Sequence, residues 1–375
     1  MSVAYHPSRA TRAWKFEYGP GLETSDVVGT AKGVHMSISR RRLVSGLLAM
    51  PTLASVGIST ATAAGPLKIS HQFPGGTIDQ GDFRDRLCRI FAKKVEEATK
   101  GALKFEIYAN SSLMKTNAQF SAMRKGALDL SFYPFPYAGG EIHACNLGLM
   151  PCLVTSYEQG TKWKTAPIGV ALNKIMEDKG IKMISWVWQA GGAASRGKQI
   201  ASPDDVKGLK IRGGSREMDL MFAAAGAQVS TMLSNEIYIG MQTGSLDVAV
   251  TSSTSLISFR LEELAKSLTT ARKGSFWFML EPLMMSKAIF DALPADQQKA
   301  ILDVGAELEA WGMDESRKDD AAVAKVYADK GVQVADFSDA DLVAWRKVAE
   351  ESAWKDFASK STDAAELLKL ARAVG

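Results

Sequence analysis

Two short stretches carry residue types suited to holding an anion. In the first, Gly192-Ala193-Ala194-Ser195-Arg196-Gly197-Lys198-Gln199 follows an apolar run, IKMISWVWQA, that reads as a strand. It is one residue short of G-x-x-x-x-G-K-[ST], the loop that cradles phosphate. That loop acts through the free N–H groups and dipole of the helix it opens, and the Ser or Thr after the lysine holds magnesium. Here Gln199 takes that place, and Ile200 to Asp205 breaks at Pro203 before a short helical turn, so the helix that would face a phosphate is missing. In the second stretch, DDVKGLKIRGGSREMD, a strand ends at Arg212, Gly213 and Gly214 follow, and Ser215 stands where it caps the next helix. The carboxyl edge of a parallel strand is where open α/β sheets bind ligands. A guanidinium there, flanked by glycines that let a ligand approach the backbone, suits a bidentate carboxylate contact. Spacing alone leaves open a purely structural pairing of Arg212 with Asp205 or Glu217. As a cleft residue, Arg212 is expected to be partly exposed.

Other chemistries find little support. No G-x-S-x-G elbow, H-E-x-x-H pair or G-x-G-x-x-G loop occurs in the sequence. Cys88, Cys145 and Cys152 and the histidines 6, 35, 71 and 143 lack the paired spacing of a zinc site, so no metal or cofactor is expected. The methionines, Met284 and Met285 included, read as core filler. The net charge of +4 is mild and no basic run lies beyond the N-terminus, which argues against a nucleic-acid partner.

The elements that must position Arg212 come from alternating strand and helix patterns. LKISHQF alternates and stops at Pro74-Gly75-Gly76. In DFRDRLCRIFAKKVEEATKG, residues Phe83, Leu87, Ile90, Phe91 and Val95 share one helical face, with Gly101 past the end. ALKFEIYAN, TNAQFSAMRKG and ALDLSFYPFP continue as strand, helix and strand. A second series runs through MISWVW, GLKIR, the helices REMDLMFAAAG and SNEIYIGMQTG, and the strand SLDVAV. This order predicts an α/β fold with a mainly parallel sheet and helices on both faces. SFWFMLEPLMM reads as a strand crossing back between domains. Beyond Ala295 the chain is helix-rich, including one segment long enough to span more than one domain.

The first 64 residues are a separate matter. Ser39-Arg40-Arg41 precedes an apolar run to Ile58 and the small residues ATAAG, the pattern of a twin-arginine export signal over 36–64. Cleavage is expected after Ala63 or Ala64, placing the mature chain in the periplasm. Pro51, Gly46 and Gly57 interrupt the run, which disfavours a permanent anchor. Residues 1–35 read as an over-extended start, Met36 being a normal one, or as a tail without assigned role.

Taken in order, LKISHQF, FAKKVEEATKGALKFEIY, GALDLSF, SPDDVKGLKIR and SNEIYIGMQTGSLDVAV resemble the solute receptors of TRAP (tripartite ATP-independent periplasmic) transporters, the DctP-like family, over about Leu67 to Leu302. The resemblance implies a two-lobed periplasmic binding protein with a hinge and a ligand cleft. Residues 66–189 plus 278–315 are expected to form lobe I, and 190–277 plus 316–375 lobe II. Arg212 is implied as the carboxylate-binding arginine. Many members place a second arginine about twenty residues earlier. That count lands on Gly192, and Arg196, the nearest arginine, either reaches the pocket or is an exposed loop residue. After the QTG turn the family often has Gly, Glu and Asn. Here Asp247 is followed by Val248-Ala249-Val250-Thr251-Ser252, so Thr251 and Ser252 are candidate hydroxyl ligands and the acid is absent.

His71 and Gln72 follow the first strand, where the family contacts its ligand, although a satisfied structural histidine fits equally well. Tyr133 and Tyr137 carry hydroxyls within an aromatic segment that reads as core or pocket. Trp277 or Phe278 is expected to line the cleft. Few charges and many aromatics point to a small carboxylate with an apolar or aromatic body. The resemblance implies capture of that acid and delivery to the small and large TRAP membrane subunits, with no catalysis. The rival readings are a binding protein for an ABC transporter or sensor, and an exported α/β enzyme acting on organic acids.

Overall fold

The computed structural model describes residues 65–374. The expected export signal and the segment before it lie outside the described residues. Among those residues no helix is long and apolar enough to cross a membrane.

The chain builds two β-sheets. Strands β1 (Leu67–Ser70), β2 (Phe105–Tyr108), β3 (Leu130–Phe132) and β4 (Ile181–Met183) enter the first sheet. The chain then crosses to the second with β5 (Trp188–Ser195), β6 (Lys210–Arg212), β7 (Gln228–Val229), β8 (Val248–Ser252), β9 (Ser267–Thr270) and β10 (Phe278–Leu280). It returns through β11 (Leu283–Ser286), and β12 (Gln333–Asp336) closes the far edge of the second sheet. The orders are β2-β1-β3-β11-β4 and β12-β9-β5-β8-β6-β7, with β10 also paired to β5.

The helices between them are α1 (Phe83–Ala98), α2 (Thr116–Arg124), α3 (Tyr157–Trp163), α4 (Pro167–Asp178), α5 (Arg216–Ala224) and α6 (Ile237–Thr243). They continue with α7 (Ser253–Ser258), α8 (Lys287–Ala292), α9 (Ala295–Ala328), α10 (Asp339–Ala349), α11 (Lys355–Ser359) and α12 (Thr362–Arg372). α1 forms as its periodicity requires: Phe83, Leu87, Phe91 and Val95 are buried, Asp82 caps Arg84 N–H, and Gly101 lies beyond the end with φ +79.

The expected mainly parallel sheet is corrected to two mixed ones. β11 runs antiparallel between β3 and β4, and β5 is antiparallel to β8, β9 and β10. Both exceptions are strands adjoining a crossing between sheets, at Ile184–Val187 and at Glu281–Pro282. The run IKMISWVWQA is accordingly two strands, and Gly192-Ala193-Ala194-Ser195 is the second half of β5, paired with β8 throughout and with β9 from Ala193 on. A Cβ at Gly191 would lie 2.4 Å from Thr251 O, and one at Gly192 2.3 Å from Thr269 O, so glycine here serves close strand packing. SFWFMLEPLMM likewise divides into β10 and β11 around Pro282.

α9 packs on α1 beside the first sheet and on α7, β5, β9 and β12 beside the second. At the second crossing the buried Glu281 carboxyl takes a bond from Gln189 and sits 3.6 Å from the Arg84 guanidinium, which also grips Asp82 at 2.6 Å and Ser255 at 3.0 Å. Nearby, Asp319 accepts from Thr254 and Asp320 from Tyr157. Burial pushes the Glu281 carboxyl up to about 7, against the pull of Arg84, and pushes Asp319 and Asp320 up to about 6.

Candidate functional site

Arg212 ends β6, and the turn beyond it is built for close approach. A Cβ at Gly213 would lie 2.5 Å from the Met218 side chain, and one at Gly214, where φ is +94, would lie 2.7 Å from Arg212 Nη1. Only glycine accommodates that backbone and a guanidinium folded back over it. Ser215 caps α5 by accepting from Met218 N–H at 3.1 Å and donates to Leu149 O at 3.0 Å. From below, Trp277 Nε1 donates to Gly213 O at 2.8 Å.

Contrary to expectation, Arg212 is only 2% exposed. Its turn is covered by residues of both sheets' loops. Nε donates to Met232 O at 3.1 Å, Nη1 to Val250 O at 3.1 Å and Nη2 to the Tyr137 hydroxyl at 2.7 Å. Arginine has five N–H donors, so two remain. Among the described residues it has no ion pair. Asp205 is taken up by the N–H groups of Ala201 and Ser202, and Glu217 by Arg216 at 3.1 Å, so neither is the structural partner that spacing left open. Asp219 lies on α5 beneath. Burial raises its carboxyl above the ordinary range, although Thr231 and Arg212 pull the other way.

A cleft of about 380 Å³ opens beside this turn. Asn117, Tyr133 and Tyr137 line it from the first-sheet side, and Gly214, Ser215, Asp219 and Thr231 from the second. Both predicted tyrosines therefore reach it. Tyr133 is nearly buried, stacked on Phe120 and edge-on to Tyr137 at 5.9 Å, and burial pushes its hydroxyl far up.

The other candidates divide. His71 is fully buried, with Nε2 3.1 Å from Asp85 Oδ1 and its ring stacked on Phe73 at 5.6 Å. Burial alone would raise the Asp85 carboxyl, but hydrogen bonds from His71, Arg89 and Gly76 N–H hold it below its ordinary value. Gln72 is buried with neither amide atom partnered. Thr251 is buried in β8 opposite Gly192. Ser252 is an N-cap, accepting from Ser255 N–H at 3.1 Å. Trp277 is buried as the prop of the Gly213 turn rather than as a wall of the cleft.

Arg196 is not brought to the cleft. It lies past the end of β5, where its N–H meets Asp247 O, at the amino end of β8 and so at the opposite end from Thr251. Its side chain is 38% exposed and its nearest acid is Asp247 at 3.9 Å. Gly192, the position that the resemblance assigns to a second arginine, has no room even for a methyl group.

Sequence reasoning missed the segment after β7. Ser230 to Glu236 supplies cleft walls, the Met232 carbonyl on Arg212 and the Ser234 N–H on Tyr137. Its signal was present: QVSTMLSNE is a short strand leading through hydroxyl residues to a helix start, at the carboxyl edge that also holds Arg212.

Two mixed sheets with a cleft between their loops and a buried arginine at one carboxyl edge define a two-lobed α/β solute-binding protein. Residues 84–361 match the model of "Bacterial extracellular solute-binding protein, family 7" (DctP), and the chain belongs to that family. It is 57% identical to a solute-binding protein of Albidiferax ferrireducens over 338 residues, 89% of this chain and 99% of that one. Among solved structures, a TRAP periplasmic solute-binding protein of Rhodoferax ferrireducens with bound malonate is 60% identical, with a TM-score of 0.81 over 82% of this chain and 98% of that chain. A Sulfitobacter receptor with bound β-D-galacturonate, 23% identical with a TM-score of 0.74 over 82% of this chain and 99% of its own, shares the fold.

Proposed function

We propose that this protein is the solute receptor of a TRAP transporter, that it binds a small organic acid through Arg212, and that it delivers the acid to the small and large membrane subunits. The observation that carries the reading is a buried guanidinium that makes no salt bridge among the described residues, although it pulls on Asp219, and that keeps two unspent N–H donors. A charge kept out of water calls for a counter-ion, and a carboxylate matches a guanidinium fork. The protein of Rhodoferax ferrireducens that holds malonate supports the choice of ligand class.

In this reading the acid's body lies against Tyr133 and Tyr137, Gln72 offers its unpartnered amide, and Thr251 and Ser252 shape the floor. Lobe I is centred on the first sheet and lobe II on the second. The closed state is favoured because only there does the acid touch both. Residues 36–64 direct export, and the mature chain works outside the cytoplasm as a binder, not an enzyme.

The test is a thermal-shift screen of residues 65–375 with malonate, uronates, pyroglutamate, arylcarboxylates, amino acids and nucleotides, with NMR to follow whether a bound compound is returned unchanged. At about a hundredfold over Kd a ligand adds roughly 2.7 kcal/mol, enough for a clear rise. Shifts confined to one class of acid support the reading. A rise with nucleotides and none with acids overturns it, and sugar acids without arylcarboxylates overturn the apolar-bodied ligand.

A further inference from the structure

Resting on the reading of Arg212 as a carboxylate seat, we propose that Tyr137 is a positioning residue that joins the two lobes at that seat, so that closing the cleft and aiming the guanidinium are one event. Tyr137 sits in the turn after β3, on the first-sheet side. Its phenol oxygen accepts from Arg212 Nη2 at 2.7 Å and from Ser234 N–H at 3.0 Å, both on the second-sheet side. The ring is held edge-on to Tyr133, which is itself stacked on Phe120. The phenol therefore arrives on a fixed support.

A hydroxyl has two acceptor lone pairs and one proton to give. Both acceptor sites of Tyr137 are taken, so its only remaining polar function is its own O–H, on a residue that lines the cleft. Accepting from a cation strengthens that donor. With the two unspent N–H groups of Arg212, the closed form offers three donors for one carboxylate.

Met232 O and Val250 O hold the other two edges of the guanidinium, and both belong to the same side as Arg212. The Tyr137 contact is the one hydrogen bond of this guanidinium, among the described residues, that comes from across the cleft. Separating the lobes removes it and leaves the other two in place. The contact thus favours the closed form with or without an acid, and holds a bound acid by slowing its release.

The experiment is stopped-flow tryptophan fluorescence with malonate, or with the strongest acid of the screen should malonate give no shift, on the parent, Tyr137→Phe, Arg212→Lys and the double variant. Spin-label distances between the lobes are measured on the same proteins without ligand. Phenylalanine keeps the ring and its packing. The expected result is a dissociation rate raised about tenfold to a hundredfold, the range for one charge-assisted hydrogen bond, with the association rate within about twofold. The loss should shrink in the Arg212→Lys background, and the ligand-free distances should broaden toward open forms. An unchanged dissociation rate with unchanged distances overturns the proposal, as does an equal loss in both backgrounds, which would mark a general packing role. If no acid binds the parent, the carboxylate reading itself fails, and the distances alone decide whether Tyr137 joins the lobes.

Discussion

Replacing Arg212 by alanine removes three hydrogen bonds and the buried positive charge that ends β6. The Met232 and Val250 carbonyls and the Tyr137 hydroxyl lose a donor each, and a bound carboxylate loses its counter-ion. Breaking a buried ion pair by removing one partner costs about 3–5 kcal/mol. At about 1.4 kcal/mol per decade that is a loss of affinity of roughly a hundredfold to several thousandfold. Arg212→Lys keeps the charge but not the planar fork and should fall between parent and alanine. Isothermal titration with the strongest acid of the screen reads the affinities, and far-ultraviolet circular dichroism with a melting curve reads the fold. Because the arginine is buried, the alanine variant is expected to melt lower as well, so only titration of protein shown to be folded counts. Folded Arg212→Ala that binds within about threefold of the parent would refute the carboxylate seat.

Other expectations are narrower. Gly192→Ala should lower the melting temperature and weaken binding together, because its methyl group would press on Thr269 O at 2.3 Å and β5, which flanks β8 on the side opposite Arg212, would have to shift; an unchanged melting curve would count against that packing. Arg196→Ala should leave acid affinity within about twofold, since it faces Asp247 at the far end of β8; a tenfold loss measured by titration would return it to the site. Glu281, Asp319 and Asp320 have folded pKa values raised to about 7, 6 and 6 by burial, so the stability they contribute is full below their unfolded values near about 4 and is lost as pH rises through about 6 to 7. The opposing carboxylates, such as Asp336 held at about 2 under the pull of Arg272 and Thr270, lose their contribution only at lower pH. The thermal midpoint should therefore be higher at about pH 5 than at about pH 8, with a smaller difference in Glu281→Gln; a flat profile would contradict the assignment.

Much of this was legible beforehand because it is local. The face of α1, the cap at Ser215, the glycine turn after Arg212 and the length of α9 follow from spacing within one element. The sense of the sheets was not, because β5 and β11 change direction only where the chain crosses between sheets, and no local pattern announces a crossing. The glycines at 191 and 192 looked like a loop for a related reason: their role is set by Thr251, Thr269 and Trp277, distant in sequence. Arg196 drew attention as the nearest arginine to an expected position, yet along an antiparallel strand four residues lead to the opposite edge. Arg212 was read as a cleft residue, but its burial depends on Tyr137, Met232 and Val250, which only the assembled fold brings together.

α9 runs for 34 residues, about 51 Å at 1.5 Å per residue, and rests on both halves of the molecule. Gly305 and Gly312 let it lie directly on the first crossing, where a Cβ at Gly305 would stand 2.5 Å from Ile184 O and one at Gly312 3.0 Å from a Val187 methyl. The halves are thus fastened to a common beam as well as to two thin straps. A gape of the cleft must bow that beam or slide it on its bed, and either displacement works against close-packed contacts along its length. Resistance to opening is thereby laid on one helix remote from Arg212.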